Sequence, residues 1–251
     1  MEGKLIWMLA AFRLEEKALG KALKKALKIM DKQRVTAHIP IEVKSTGVGI
    51  KKSRIMLGKY LEHQKPDLVL ITGIAGAVHP GLKVGDIVFP EKVCLIDDLN
   101  KIQKILDVQK LSELDFRYRL EKSKRVHTAP ILATVRRTYH PEDKDFLRKL
   151  NPDIYAVDME SYSLVDALTK RKIPFVFLRV ISDPYDMKFP KDDFIDAIFR
   201  SKGVKRILIL CCHPISFFRL VIIIPAMLKS LRVLKESAVA FISSVVKPEA
   251  E

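Results

Sequence analysis

Cysteine is scarce in this 251-residue chain, and the three present, Cys94 and the adjacent Cys211-Cys212, form neither a disulfide framework nor a metal-ligand spacing. No secretory leader pattern opens the sequence, so the expected compartment is the reducing cytoplasm. Long apolar runs are also missing. Ile207 to Cys212 and Leu220 to Ile224 are strongly apolar, but Pro214, Arg219 and Pro225 interrupt them, and no uncharged span of roughly 20 residues remains to cross a bilayer. Internal repeats, low-complexity linkers and basic motifs interleaved with aromatics are absent, which weighs against a nucleic-acid partner. Acids are outnumbered, 30 Asp and Glu against 45 Lys and Arg, and the formal charge of +15 favours an anionic partner: nucleic acid, acidic membrane or phosphorylated substrate.

What is present is a chain with 48% hydrophobic residues, long enough for one large α/β core and too short for two ordinary domains. Residues 1–200 read as that domain and 201–251 as a basic, apolar helical extension. Lys4 to Ala11 is a short apolar strand, and Leu14 to Met30 is an amphipathic helix with Leu19, Leu23, Ala26, Leu27 and Met30 on one face. Ile39 to Ser45 predicts a strand, Lys51 to His63 a helix, and Leu68 to Thr72 a strand buried on both faces. Ile131 to Val135 is a further strand and Glu142 to Leu150 a further helix. The charged, glycine-free segment Asp97 to Arg125 predicts one or two surface helices. Strand, glycine and helix in alternation imply three layers, α/β/α, around a mixed, mostly parallel sheet.

Two acids stand where such sheets bind ligands. Glu160 lies where the strand ending Val157-Asp158-Met159 gives way to a helix, and Asp183 closes the apolar run Phe175 to Ser182. Their plainer roles would be helix or turn caps.

The ordered motifs Thr46-Gly47-Val48-Gly49, Thr72-Gly73-Ile74-Ala75-Gly76-Ala77, Leu82-Lys83-Val84-Gly85-Asp86-Ile87-Val88, Val157-Asp158-Met159-Glu160 and Arg179-Val180-Ile181-Ser182-Asp183 resemble those of the nucleoside phosphorylase superfamily. The resemblance spans about residues 4–200 and is nearest to the methylthioadenosine and S-adenosylhomocysteine nucleosidases and the hopanoid-associated phosphorylases. It implies cleavage of a purine N-glycosidic bond without metal or cofactor. That bond breaks through an oxocarbenium-like state, so an acid for the departing base and an anion near the sugar are both useful. By the resemblance, Asp183 delivers a proton towards purine N7, Glu160 binds ribose hydroxyls and Met159 packs on the sugar. Glu15 orients the attacking water, with the neighbouring Glu16 an open alternative and a first-turn helix acid the plainer role of Glu15. Gly73, Ile74, Ala75, Gly76, Arg179 and Ser182 would line the substrate.

The departures bear on the acceptor. Where family phosphorylases grip phosphate, this chain carries Ile71 and Ile74, and an apolar side chain cannot replace such a donor. Hydrolysis is therefore favoured over phosphorolysis, with Lys51, Lys52 or Arg54 left as other anion ligands. The aromatic wall to the base becomes Arg136-Arg137-Thr138-Tyr139-His140, where Tyr139 can stack on a purine or lie on the surface, and His140 reads as a loop residue. Beyond Pro225 the residues Met227, Leu231, Leu234, Ala238, Phe241, Ile242 and Val245 recur at helical spacing. Between Val204 and Lys247 seven basic residues face the single acid Glu236. That pattern fits a helix on anionic lipid at the inner membrane face, serving a purine nucleoside that is free or lipid-linked, as in an adenosylated hopanoid. It equally fits a helix packed on the core or in a homodimer or higher oligomer. The rival class is a non-catalytic basic nucleic-acid- or membrane-binding protein on the same fold.

Overall fold

Two strands run from one sheet into another, and the functional residues gather where they bend. The structure, a computed structural model, describes residues 4–32, 39–97, 101–108, 114–122, 124–136, 140–188 and 213–246. The first sheet has the order β2-β1-β3-β9, all parallel, with β1 Ile6–Ala10, β2 Ile41–Ser45, β3 Leu68–Ile71 and β9 Phe175–Phe177. Two residues after β3 the chain enters β4 (Ile74–Ala77), and one residue after β9 it enters β10 (Arg179–Asp183). These join β5 (Ile87–Ile96), β6 (Ile102–Asp107), β7 (Val126–Thr134) and β8 (Ile154–Asp158) in the order β10-β4-β8-β7-β5-β6. An antiparallel pairing of β10 with β5 closes that second sheet into a barrel. Leu178 donates to the Ile71 carbonyl at 3.1 Å and Val180 to the Gly73 carbonyl at 2.9 Å, so the ladder is continuous through both bends.

Helices cover both faces, as the alternation of elements predicts. On one side lie α1 (Arg13–Lys32) and α6 (Pro214–Val246), with α3 (Leu114–Glu121) against α6; on the other lie α2 (Ile50–His63) and α5 (Ser161–Lys170); α4 (Pro141–Leu150) precedes β8. The buried apolar stripe of α1 is Ala18, Leu19, Ala22 and Ala26, whose three alanines let α6 approach, while Leu27 is exposed. No cis peptide occurs among the described residues.

Where the sequence predicts one or two surface helices within Asp97 to Arg125, α3 alone is helical among the described residues; β6 is an edge strand whose charged side chains protect its free side from further pairing. Gly73 bends one strand between two sheets. Of the settings left open for the apolar face from Leu231 to Val246, the structure shows packing on the core: Leu234 and Ile242 are 0% exposed and pack with α1. α6 also runs through Pro225, and its first half exposes Ile215, Phe218, Val221, Ile222, Ile224 and Leu228. No helix among the described residues is long and apolar enough to cross a membrane.

Candidate active site

A cavity of about 240 Å³ opens at the bends, against the ends of β4, β8 and β10. The register places Asp183 beside Gly76 and Gly76 beside Val157, a row across three neighbouring strands. Of the residues singled out in the sequence, Glu15, Ile74, Ala75, Gly76, Met159, Glu160, Ser182 and Asp183 line the cavity together. Gly73 and Arg179 stand directly behind that wall. Ile71 is buried in the core, Lys51, Lys52 and Arg54 are exposed and outside the lining, and Tyr139, Cys211 and Cys212 lie outside the described residues. His140 caps α4 in a reciprocal capping box with Asp143. Cys94 is free, and burial pushes its thiol up to about 12, which leaves no reactive thiolate.

Glu15 owes its place to the first turn of α1, which begins three residues after β1. Its Oε2 accepts from the backbone N–H of Ala11 at 2.7 Å and Phe12 at 3.4 Å, and its Oε1 accepts from Ile74 N–H at 2.8 Å. Burial raises its pKa above the ordinary carboxylate range, against the pull of Arg179 and of those three N–H groups. Glu16 points to solvent, so only the first of the two neighbouring acids reaches the cavity.

Glu160 sits at the N-cap position of α5 but makes no side-chain capping bond. Its Oε1 instead accepts from Gly49 N–H at 2.8 Å, 111 residues away. Gly49 has φ +93°, a conformation that favours glycine, and so aims its amide at the cavity. Burial, then the negative charge of Asp158, pushes the Glu160 carboxyl up to about 8, opposed chiefly by Arg179.

Behind these acids lies a buried network that the sequence motifs only partly announced. Arg179 donates to Asp158 Oδ2 from Nε at 2.9 Å and from a terminal nitrogen at 2.7 Å, and to Ser161 Oγ at 2.8 Å. Asp158 also accepts from Thr134 Oγ1 at 3.0 Å and from the Ser161 hydroxyl. Burial works against the Arg179 cation, yet Asp158, Glu15 and Glu160 outweigh it and raise its pKa further. This one cation holds the local charge balance under three carboxylates. Gly73 is needed here, since a Cβ would collide with the Arg179 guanidinium and stand 2.7 Å from Glu15 Oε1.

Asp183, the last residue of β10, accepts from Ser182 Oγ on Oδ1 and from Lys144 Nζ on Oδ2, both at 2.8 Å. A Cβ on Gly76 would stand 2.6 Å from Oδ2, so the glycine gives the carboxylate its room. Phe12, Val48, Val135 and Val157 complete an apolar lining. Sequence reasoning missed Asp158, Ser161, Thr134 and Lys144 as members of the site.

The doubly bent strand pair thus encloses a cavity lined by several carboxylates in an α/β fold. The model of the phosphorylase superfamily matches residues 33–207, and the chain belongs to that superfamily. It is similar to the 5'-methylthioadenosine/S-adenosylhomocysteine nucleosidase of Anoxybacillus flavithermus, 30% identical over 152 residues, covering 55% of this chain and 65% of that one. The nucleosidase of the same name from Buchnera aphidicola is 28% identical over 194 residues, covering 68% and 81%. The alignment thus spans less than two thirds of the first of these relatives. Among solved structures, futalosine hydrolase of Helicobacter pylori superposes with TM-score 0.68 at 17% identity, covering 96% of this chain and 98% of that one. The Neisseria meningitidis nucleosidase in complex with methylthio-immucillin-A gives 0.64 at 18%, covering 94% and 99%. At these identities the structural matches speak for the fold.

Proposed function

We propose that the chain hydrolyses the N-glycosidic bond of a purine nucleoside, with an adenine derivative as substrate, and that residues 1–200 carry the reaction. The observation that supports this best is the electrostatic character of the cavity. Glu15, Asp158, Glu160 and Asp183 all line it, and no lysine or arginine does among the described residues. Such a wall offers an acid for the departing base and acceptors for the ribose hydroxyls, and it presents no cation to grip a phosphate dianion. The names of the related nucleosidases support the same substrate class.

In this mechanism the C1′–N9 bond breaks with its electron pair passing to the purine. Asp183 gives its proton to N7 so that the base leaves neutral. Glu160 holds the ribose hydroxyls, and Met159 packs against the sugar. A water held by Glu15 adds its oxygen to C1′ and leaves its proton on the Glu15 carboxylate. Incubating the purified chain with methylthioadenosine, S-adenosylhomocysteine and adenosine, with and without phosphate, tests the proposal. Free base and free sugar at a phosphate-independent rate are expected; a ribose 1-phosphate product and a strict phosphate requirement would establish phosphorolysis instead.

The exposed apolar half of α6 favours one extension. Its six large side chains, with the basic Arg219 and Lys229 beside them on a chain of net charge +15, fit an anionic membrane surface, where an adenosylated lipid would be presented.

A further inference from the structure

Lys144 is a second buried cation behind the cavity, alongside Arg179, and the mechanism above does not use it. Its side chain is 0% exposed, it projects from α4 behind the cavity wall, and it does not itself line the cavity. Its ammonium donates to Asp183 Oδ2 at 2.8 Å and to the Pro184 carbonyl at 3.0 Å. A lysine is rarely placed wholly out of water without a specific counter-charge, and here that partner is the candidate proton donor.

Resting on the nucleosidase reading, we propose that Lys144 is a positioning residue that makes Asp183 an effective acid, by stabilising the carboxylate left behind once its proton has passed to the purine. Ser182 fits both states of the acid. Its hydroxyl lies 2.8 Å from Asp183 Oδ1 and 3.2 Å from the Ala75 carbonyl. With Asp183 ionised, Ser182 donates to Oδ1. With Asp183 protonated, Ser182 turns its hydrogen to Ala75 and can accept from the acid. Lys144 donates to Oδ2 in either state, but that bond becomes charge-assisted on both sides only after the proton has left. The step balances: the electron pair of C1′–N9 goes to the base, the Asp183 proton goes to N7, and the proton released from water at Glu15 returns through solvent to Asp183.

The contact therefore strengthens as the bond breaks, and contacts of that kind act on turnover more than on binding. Lys144→Met is expected to lower kcat on methylthioadenosine, or on whichever purine nucleoside the wild type cleaves, by about 10- to 100-fold with little change in KM. Lys144→Arg, which keeps the charge, is expected to recover most of that loss. A 4-nitrophenyl riboside, whose leaving group departs as a stabilised phenolate without a proton, is expected to be cleaved by Lys144→Met at nearly the wild-type rate. In an Asp183→Asn background, adding Lys144→Met is expected to change nothing further. Equal losses on both substrates, additive losses in the double variant, or a purine rate that Lys144→Met leaves intact would each overturn the role. Failure of the wild type to release base from any purine nucleoside is a separate outcome, and it overturns the functional reading along with this one.

Discussion

Glu160 is a site where activity and stability should pull in opposite directions. Its carboxyl is buried, 6% exposed, beside Asp158 and Glu15, and those surroundings push it from an ordinary 4.5 up to about 8. The folded chain thus holds a proton there that the unfolded chain releases, so stability falls as pH rises from about 4.5 through 8 and is fully penalised above that window. At about 1.4 kcal/mol per pH unit the ceiling is about 5 kcal/mol. Relaxation and the linked titration of Glu15 reduce this, and at about 2–4 °C in Tm per kcal/mol for a chain of this size the remainder reads as a shift of several degrees. Glu160→Gln removes the charge but keeps an oxygen for the Gly49 amide. Thermal unfolding followed by circular dichroism should show the variant melting several degrees above wild type at pH 8.5 and level with it near pH 4.5. Its activity should fall most above about pH 8, where the wild-type carboxylate is a charged acceptor for the ribose hydroxyls that the amide cannot replace. A variant less stable than wild type at pH 8.5, or a difference that does not vary with pH, would refute the account of this buried acid.

Asp183→Asn keeps the shape at the end of β10 and removes the acid, so base release should drop by about 10² to 10⁴ while the circular dichroism spectrum stays unchanged; a wild-type rate would remove Asp183 from the mechanism. Gly76→Ala places a methyl 2.6 Å from Asp183 Oδ2, and Gly73→Ala places one against Glu15 and Arg179; each should cost at least about tenfold in kcat/KM, and a fully active Gly76→Ala chain would show that Asp183 has slack. In flotation with anionic liposomes at low salt, the wild type should rise with the vesicles and a chain carrying Phe218→Ser and Ile222→Ser should not; equal behaviour of the two would move the extension off α6.

Much of the fold was legible because burial marks the sequence, as unbroken apolar runs in strands covered on both faces and as a helical period in α1. Ile6–Ala10, Leu68–Ile71 and the helix from Arg13 read directly as strand, strand and helix. The barrel closure did not read, since Gly73 has the same local signature whether it ends a strand before a helix or bends it into another sheet. The charged edge strand Ile102–Asp107 resembled a surface helix for a related reason: with only part of one face covered, its alternation is weak. At the site, the acids at strand ends stood out, while their partners did not. Arg179 reaches Asp158 across 21 positions, a pairing that no local pattern encodes. Lys144 lies among Glu142, Asp143, Asp145 and Lys149, where a lysine looks like part of a solvated face. Only the fold shows that this one turns inward, beside Leu147 on the buried side of α4.

The packing of α6 on α1 has a consequence for how the chain is made. Ala18, Leu19, Ala22 and Ala26 near the start rest against Leu234, Ala238, Phe241 and Ile242 near residue 246, and Ser230 of the same late helix holds the Ile181 carbonyl at 2.7 Å, two residues before Asp183. During synthesis, at about 5–20 residues per second, α1 waits roughly 10 to 40 s for its partner. Through that interval the ribosome carries a nascent chain with one apolar flank uncovered and the β10 strand unsupported on that side. Chaperone engagement should accordingly concentrate on arrested chains that stop short of α6, and the nucleoside cavity should be among the last parts of the molecule to mature.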